Sequence, residues 1–227
     1  MKPIQPMEPM SLSTFERLRN NNIIQAWLVL ILTLIFGSSL AGIQMTLGPR
    51  IEENKINETR EKVPELVLGQ EAAQKLAESG QALEITPLSV VVDKGVKKVS
   101  YSVFEAIGPD KKRAGWVVKT RGQGYADRIE LLLGLSPDAK KVTGLFILDQ
   151  KETPGLGNKI VTPEWRGQFI GKATAGSLSV VKGSATAPDQ INAITGATIS
   201  SDSVTGIINA AIADLRGPLA AKASGGE

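Results

Sequence analysis

The sequence predicts an α+β fold: a single N-terminal transmembrane helix, then a domain with an antiparallel sheet and packed helices. Three observations carry this. No charged residue occurs between Arg19 and Arg50. From about Leu83 onward, short apolar runs are separated by Gly, Pro, Asp and Lys turns. Near the C-terminal end, Val204, Ile207, Ile208, Ala211, Ile212 and Leu215 recur at the i, i+3, i+4 spacing of an amphipathic helix.

Taken in order, residues 1–22 form a polar tail and residues 23–46 the span. At a rise of roughly 1.5 Å per residue, the apolar run from Ile23 to Met45 crosses a hydrocarbon core of about 30 Å. A cleaved signal peptide is the alternative, because the stretch Ser38 to Gly42 offers small residues after the apolar run; the long preceding tail and long apolar run favour an anchor. Gly37, Ser38, Ser39, Ala41 and Gly42 suit close packing against another membrane helix, and equally suit a poorly packed helix end. Basic residues flank the span on both sides, so charge counting gives no orientation.

Residues 47–82 read as a juxtamembrane helical linker. Charges alternate, Glu58 and Lys62 stand at i,i+4 spacing, and Pro64 interrupts. Gln70 to Ser79 read as a short helix ending at Gly80. Residues 83–217 form the domain, with Ser136 to Lys141 a turn between antiparallel strands, and residues 218–227 a flexible tail.

The chain has 227 residues, a formal charge of +3, no histidine and no cysteine. Disulfides, thiolate zinc, haem attachment and iron–sulfur ligation are excluded, and no metal site or catalytic side chain is expected. Lysines and arginines are interspersed with acids, so nucleic acid is not an expected partner.

Two loops carry the chemistry. "ITGATISS" (Ile194 to Ser201) enters the final helix, whose start is placed near Ser200 to Asp202 by their capping residue types. Unpaired N–H groups and the helix dipole there suit a phosphate; Gly196 and Ala197 keep the approach open, and Thr198 presents a hydroxyl. An ordinary capped helix start fits the same residues. "KETPGLGNK" (Lys151 to Lys159) places Thr153, Pro154, Gly155, Leu156 and Gly157 in a loop where backbone amides can approach a planar ligand. Trp165 offers an aromatic surface to that ligand, or a core side chain.

The apolar anchor, "ETPGLGNKI", "EWRGQF" and "INAITGATISS", in that order, resemble the RnfG/NqrC family. RnfG is the FMN-binding component of the Rnf electron-transport complex, and NqrC is its counterpart in the sodium-pumping NADH:quinone reductase. The resemblance runs from the span to the last helix. It implies one covalent FMN per chain, esterified through its phosphate to Thr198 by a flavin transferase that uses FAD. Thr195, Gly196 and Ala197 complete the motif, and Ser200 and Ser201 stand near it as further hydrogen-bond donors for the phosphate. It also places the segment from Glu152 through Thr153, Pro154, Gly155 and Leu156 to Gly157 against the flavin. Asn192 stands where many relatives carry an acidic residue.

The function so implied is electron carriage within a membrane-bound, ion-translocating ferredoxin:NAD oxidoreductase. Its partners are the other subunits, the flavin transferase and membrane lipid. The domain would lie on the extracytoplasmic face of the plasma membrane, with the tail in the cytoplasm. A flavin supplies its own redox chemistry, which accounts for a chain without histidine or cysteine. The alternatives are the NqrC role in the sodium-translocating NADH:quinone reductase, and a membrane-anchored domain that binds flavin noncovalently.

Overall fold

The computed structural model describes residues 21–95 and 98–224; most of the expected N-terminal tail and the last three residues lie outside them. Helix α1 spans Asn22–Leu68. The chain divides into two compact units, one ending at Asn54 and one beginning at Lys55.

In the first unit α1 exposes nearly all its large apolar side chains, from Ile23 to Ile51. Among the described residues it is the one helix long and apolar enough to cross a membrane. Asn21 Oδ1 accepts the Ile23 N–H at 2.9 Å and caps its start. Thr33 and Thr46 hydroxyls donate to the carbonyls of Val29 (2.8 Å) and Gly42 (2.9 Å), which keeps them satisfied within an apolar surface.

The second unit contains the end of α1, helix α2 (Gln70–Glu78) and five strands: β1 (Glu84–Asp93), β2 (Lys98–Ile107), β3 (Arg113–Gln123), β4 (Arg128–Leu135) and β5 (Val142–Asp149). They pair in sequence order, each antiparallel to the next. The turn at Ser136 to Lys141 forms as its sequence predicts, with the Ser136 N–H donating to the Lys141 carbonyl at 2.9 Å. A 3-10 turn (Gly157–Val161), helix α3 (Pro163–Gly167), a short parallel pair β6 (Ser179–Val181) and β7 (Gln190–Asn192), and helix α4 (Thr198–Ser224) complete the unit.

The sheet is buried on both faces. Trp116, Val118, Leu131 and Leu133 join a core with Val204, Ile208, Ala211 and Leu215 of α4. Phe104, Val117 and Leu132 face Val63, Leu66 and Val67 of α1. Two-sided burial explains why β4 reads as a nearly unbroken apolar run rather than an alternation.

Three local expectations change. Pro64 lies inside α1, and Val63, Leu66 and Val67 around it are buried against the sheet, so one face of this stretch is core while its charged face remains solvated. Lys62 pairs with Glu65 at 3.0 Å rather than with Glu58, and its ammonium lies 5.0 Å over the Phe146 ring. Helix α4 continues through Pro218 to Ser224, where the sequence predicts a flexible tail. Leu219 is buried there, and Arg113, paired with Glu105 at 2.6 Å, donates to the Lys222 carbonyl at 3.3 Å.

The α1 end sits on glycine. Gly134 and Gly144 are cross-strand partners. A Cβ on Gly144 would lie 2.8 Å from the Leu66 carbonyl oxygen and 2.9 Å from its Cα, so helix backbone rests directly on strand backbone. On the opposite face, the Tyr101 hydroxyl donates to Asp214 of α4 at 2.5 Å, and Lys94 pairs with the same oxygen at 2.8 Å. Burial raises the Tyr101 phenol well above its ordinary value, and the hydrogen bond and charge of Asp214 raise it further.

Gly144→Ala is expected to destabilise the domain by about 1–3 kcal/mol, as overpacking does. Gly206→Ala, at an exposed helical position with nothing near its missing Cβ, should stabilise it by about 0.5–1 kcal/mol. Denaturant titration of the detergent-solubilised chain measures both. Because the folded phenol titrates above the unfolded one, the stability that Tyr101 contributes is complete below about pH 10 and is lost as pH rises beyond it. Tyr101→Phe should therefore flatten the alkaline fall in stability, read as unfolding midpoints across that range.

Candidate functional site

The two loops singled out in the sequence meet at one cleft of about 450 Å³ at the start of α4. From the loop after β5 come Thr153, Leu156 and Gly157. From the loop into α4 come Gly196, Ala197, Thr198 and Ser200. Tyr125 and Ile199 also line the cleft.

The loop into α4 is a tight turn in which the Ala197 N–H donates to the Ile194 carbonyl at 2.9 Å. Gly196 holds φ +80°, which demands glycine, and a Cβ there would also lie 3.0 Å from Leu156 Cδ2, a tight approach that this side chain would have to yield to. Helix α4 starts at Thr198, two residues before the sequence expectation, and its first intrahelical bond runs from the Ser201 N–H to the Ala197 carbonyl at 3.1 Å. The amides of Thr198, Ile199 and Ser200 therefore have no acceptor within the helix, and Ala197 at the capping position has no side-chain oxygen to offer.

The hydroxyls here divide sharply. Ser201 is fully buried; its Oγ accepts the Ile194 N–H at 3.0 Å and donates to the Ala197 carbonyl at 3.1 Å. Ser200 donates to Glu152 Oε2 at 2.5 Å. Among the described residues, no partner takes the Thr198 hydroxyl, which is half-buried in the cleft wall. Ser201 is thus a structural brace and Ser200 is engaged from below, whereas Thr198 is left available.

Glu152 lies beneath the cleft with only 3% exposure. One oxygen takes the Ser200 hydroxyl, and the other accepts the Ala126 N–H at 3.1 Å. A Cβ on Gly157 would lie 2.6 Å from Ser200 Oγ and 2.9 Å from Glu152 Oε2, so this glycine lets the loop close onto the helix start. At the surface, Lys151 pairs with Asp127 at 2.9 Å; its hydrogen bond, with that from the Arg128 N–H, holds the Asp127 carboxyl below the usual range. Such an exposed pair adds little stability.

Other expected residues sit elsewhere. Pro154 and Gly155 form the exposed corner of their loop, with Gly155 at φ +78°, and do not line the cleft. Thr195 is exposed on the turn and also stands off the cleft. Trp165 is a core side chain: it donates from Nε1 to the Asn192 carbonyl at 2.9 Å and packs edge-on to Phe169 at 5.2 Å. Asn192 uses its side-chain oxygen to accept the Ala185 N–H at 2.5 Å, which ties the preceding loop to β7.

Sequence reasoning missed Tyr125 and Ile199. Tyr125 is a lone aromatic after Gly-Gln-Gly between two strands, a turn position that core packing does not explain. Ile199 falls off the apolar stripe of α4 and is 57% exposed.

Residues 124–213 match the FMN-binding domain model. The G component of the ion-translocating oxidoreductase complex of Methanosarcina acetivorans is 35% identical over 134 residues, covering 58% of this chain and 68% of that protein. The G component of the Na(+)-translocating ferredoxin:NAD(+) oxidoreductase complex of Acetobacterium woodii is 43% identical over 100 residues. That match covers 43% of this chain and 47% of the relative, so the chain spans only about half of that protein's length. In fold, the crystal structure of Shewanella oneidensis NqrC superposes with a TM-score of 0.61 at 19% identity, covering 74% of this chain and 99% of that one. On these likenesses, the chain belongs to the RnfG/NqrC family of FMN-binding subunits of ion-translocating oxidoreductase complexes.

Proposed function

We propose that this chain carries one FMN, esterified through its phosphate to Thr198, as the electron-transfer subunit of a membrane-bound, ion-translocating ferredoxin:NAD oxidoreductase. The observation that carries the reading is the contrast among the hydroxyls of the α4 start: Ser200 and Ser201 are committed to Glu152 and to the turn, whereas Thr198 opens into the cleft at the helix end with its hydroxyl uncommitted among the described residues.

The residues fit the group. The cleft volume falls within the range of about 300–1,000 Å³ usual for small-ligand sites. Its helix end offers unpaired amides to phosphate oxygens, and its rim offers the apolar surface of Tyr125, Leu156 and Ile199 to a planar ring system. When bound, FMN supplies the redox chemistry. The chain's own residues bind and orient: the Thr198 oxygen anchors the phosphate, the α4 start offsets its charge, and the loop from Thr153 to Gly157 shapes one wall.

Attachment would join the Thr198 oxygen to the flavin-side phosphorus of FAD, with the bond to the adenylate phosphate broken, AMP as the leaving group and the hydroxyl proton released. A flavin transferase would be the partner for this step. The remaining partners are the other subunits of the complex and the lipid around a single-pass α1, with the domain on the extracytoplasmic side. A tether is most useful there, because free FMN is scarce outside the cell. NqrC in a sodium-translocating NADH-quinone reductase would use the same tether; the 35% and 43% identities to the G components favour the ferredoxin-linked complex.

The test is the intact mass of the denatured chain, purified from cells with and without a flavin transferase. An added FMN less one water is expected only with the transferase, and Thr198→Ala should abolish it. Polypeptide mass alone in the presence of active transferase would replace the tether with noncovalent binding.

A further inference from the structure

We infer that Gln168 is a positioning residue for the flavin: with Trp165 it clasps the peptide of Asn192 and so fixes the gap between the two loops that form the cleft. The inference rests on the FMN reading above and adds to it what holds the site at its width.

Strand β7 has β6 along one edge, where the Ala193 N–H donates to the Val181 carbonyl at 2.9 Å. Its other edge is taken by side chains rather than by a strand. Gln168, directly after α3, accepts the Asn192 N–H on Oε1 at 2.8 Å. Trp165 Nε1 donates to the carbonyl of the same residue at 2.9 Å. Gln168 Nε2 adds two longer contacts, to the carbonyls of Trp165 at 3.4 Å and Asn192 at 3.5 Å. Both backbone groups of Asn192 are thereby satisfied from α3, in a partly buried place where leaving them unpaired is unfavourable.

Each side of the clasp is the end of a short, bonded arm. From Asn192 toward Thr198, the Ile194 N–H donates to Ser201 Oγ at 3.0 Å and the Ala197 N–H to the Ile194 carbonyl at 2.9 Å. From Leu156 toward α3, the Lys159 N–H donates to the Leu156 carbonyl (3.1 Å), the Thr162 N–H to Lys159 (3.0 Å) and the Arg166 N–H to Thr162 (3.1 Å). One arm carries the anchoring hydroxyl and the other carries Leu156 and Gly157, which also line the cleft. Helix α3 is itself fixed to the sheet, since Arg166 Nη1 donates to the Leu145 carbonyl of β5 at 2.8 Å. Glu152 joins the two loops beneath the cleft, and Gln168 joins their far ends. A single junction would leave a hinge, whereas two set the opening. A site held open at the right width before the ligand arrives spends less of its binding free energy on ordering.

The experiment uses the full chain in detergent, purified from cells that have the transferase. Flavin per chain is read from intact mass after denaturation, and flavin motion from the decay of its emission anisotropy in the folded protein. Gln168→Met keeps the side-chain length and drops both polar groups. It should cut flavin per chain several-fold and add a fast component to the anisotropy decay that the wild type lacks. Trp165→Phe, which loses the Nε1–H donor, should act in the same direction to a smaller extent, and it carries the test if circular dichroism shows Gln168→Met unfolded. Gly144→Ala, a destabilising change at the seat of α1, should leave both readings at the wild-type level, which separates positioning from stability. If the wild type carries flavin and the folded Gln168 and Trp165 variants match it, the inference falls and the FMN reading stands. If Gly144→Ala reproduces their effect, the clasp contributes stability alone and the positioning role is overturned. A wild-type chain that carries no flavin in any form would overturn the FMN reading and this inference with it.

Discussion

A carboxylate buried beneath a cleft must be supplied with donors, and around Glu152 that requirement organises the site. Its donors come from segments far apart in sequence: the turn after β3 and the first turn of α4. The carboxylate itself sits at the start of the loop after β5. Burying a charge without such partners is strongly unfavourable, so the three segments reach their places together. The glycines at 124 and 157 belong to the same constraint, since each allows backbone to approach where a side chain would intervene. The cleft is a product of this convergence rather than of any one motif.

Much of this was legible in the sequence, and the reason is local. The antiparallel meander follows from apolar runs separated by turn residues, and the α4 stripe from its helical period. The two motif loops were visible because glycine, proline and hydroxyl residues cluster where backbone geometry is unusual. Gly196 illustrates this: its left-handed conformation and its contact with Leu156 both leave a mark in residue type.

What was not legible depends on partners distant in sequence. Nothing near Val63, Leu66 and Val67 announces that they cover a sheet, because their charged neighbours dominate the local pattern. The helical extension past Pro218 rests on Arg113, about a hundred residues earlier. From sequence Trp165 fits a ligand surface or the core; its burial, its packing on Phe169 and its bond to the Asn192 carbonyl decide for core. Hydroxyl roles were likewise hidden: Ser200, Ser201 and Thr198 look alike in sequence, and differ only in which already have partners.

The glycine seat under Leu66 bears on where this protein can be divided. Composition places a boundary after the charged stretch, yet the helix from Lys55 onward is part of the second unit, and at Leu66 its backbone lies directly on β4 and β5. Cutting after Leu68 would strip one face of the sheet and lay bare Phe104, Val117 and Leu132 as a sticky apolar surface. A soluble fragment intended for flavin loading or crystallisation should therefore begin before Lys55, keeping the helical lid that the charge pattern disguises as a linker.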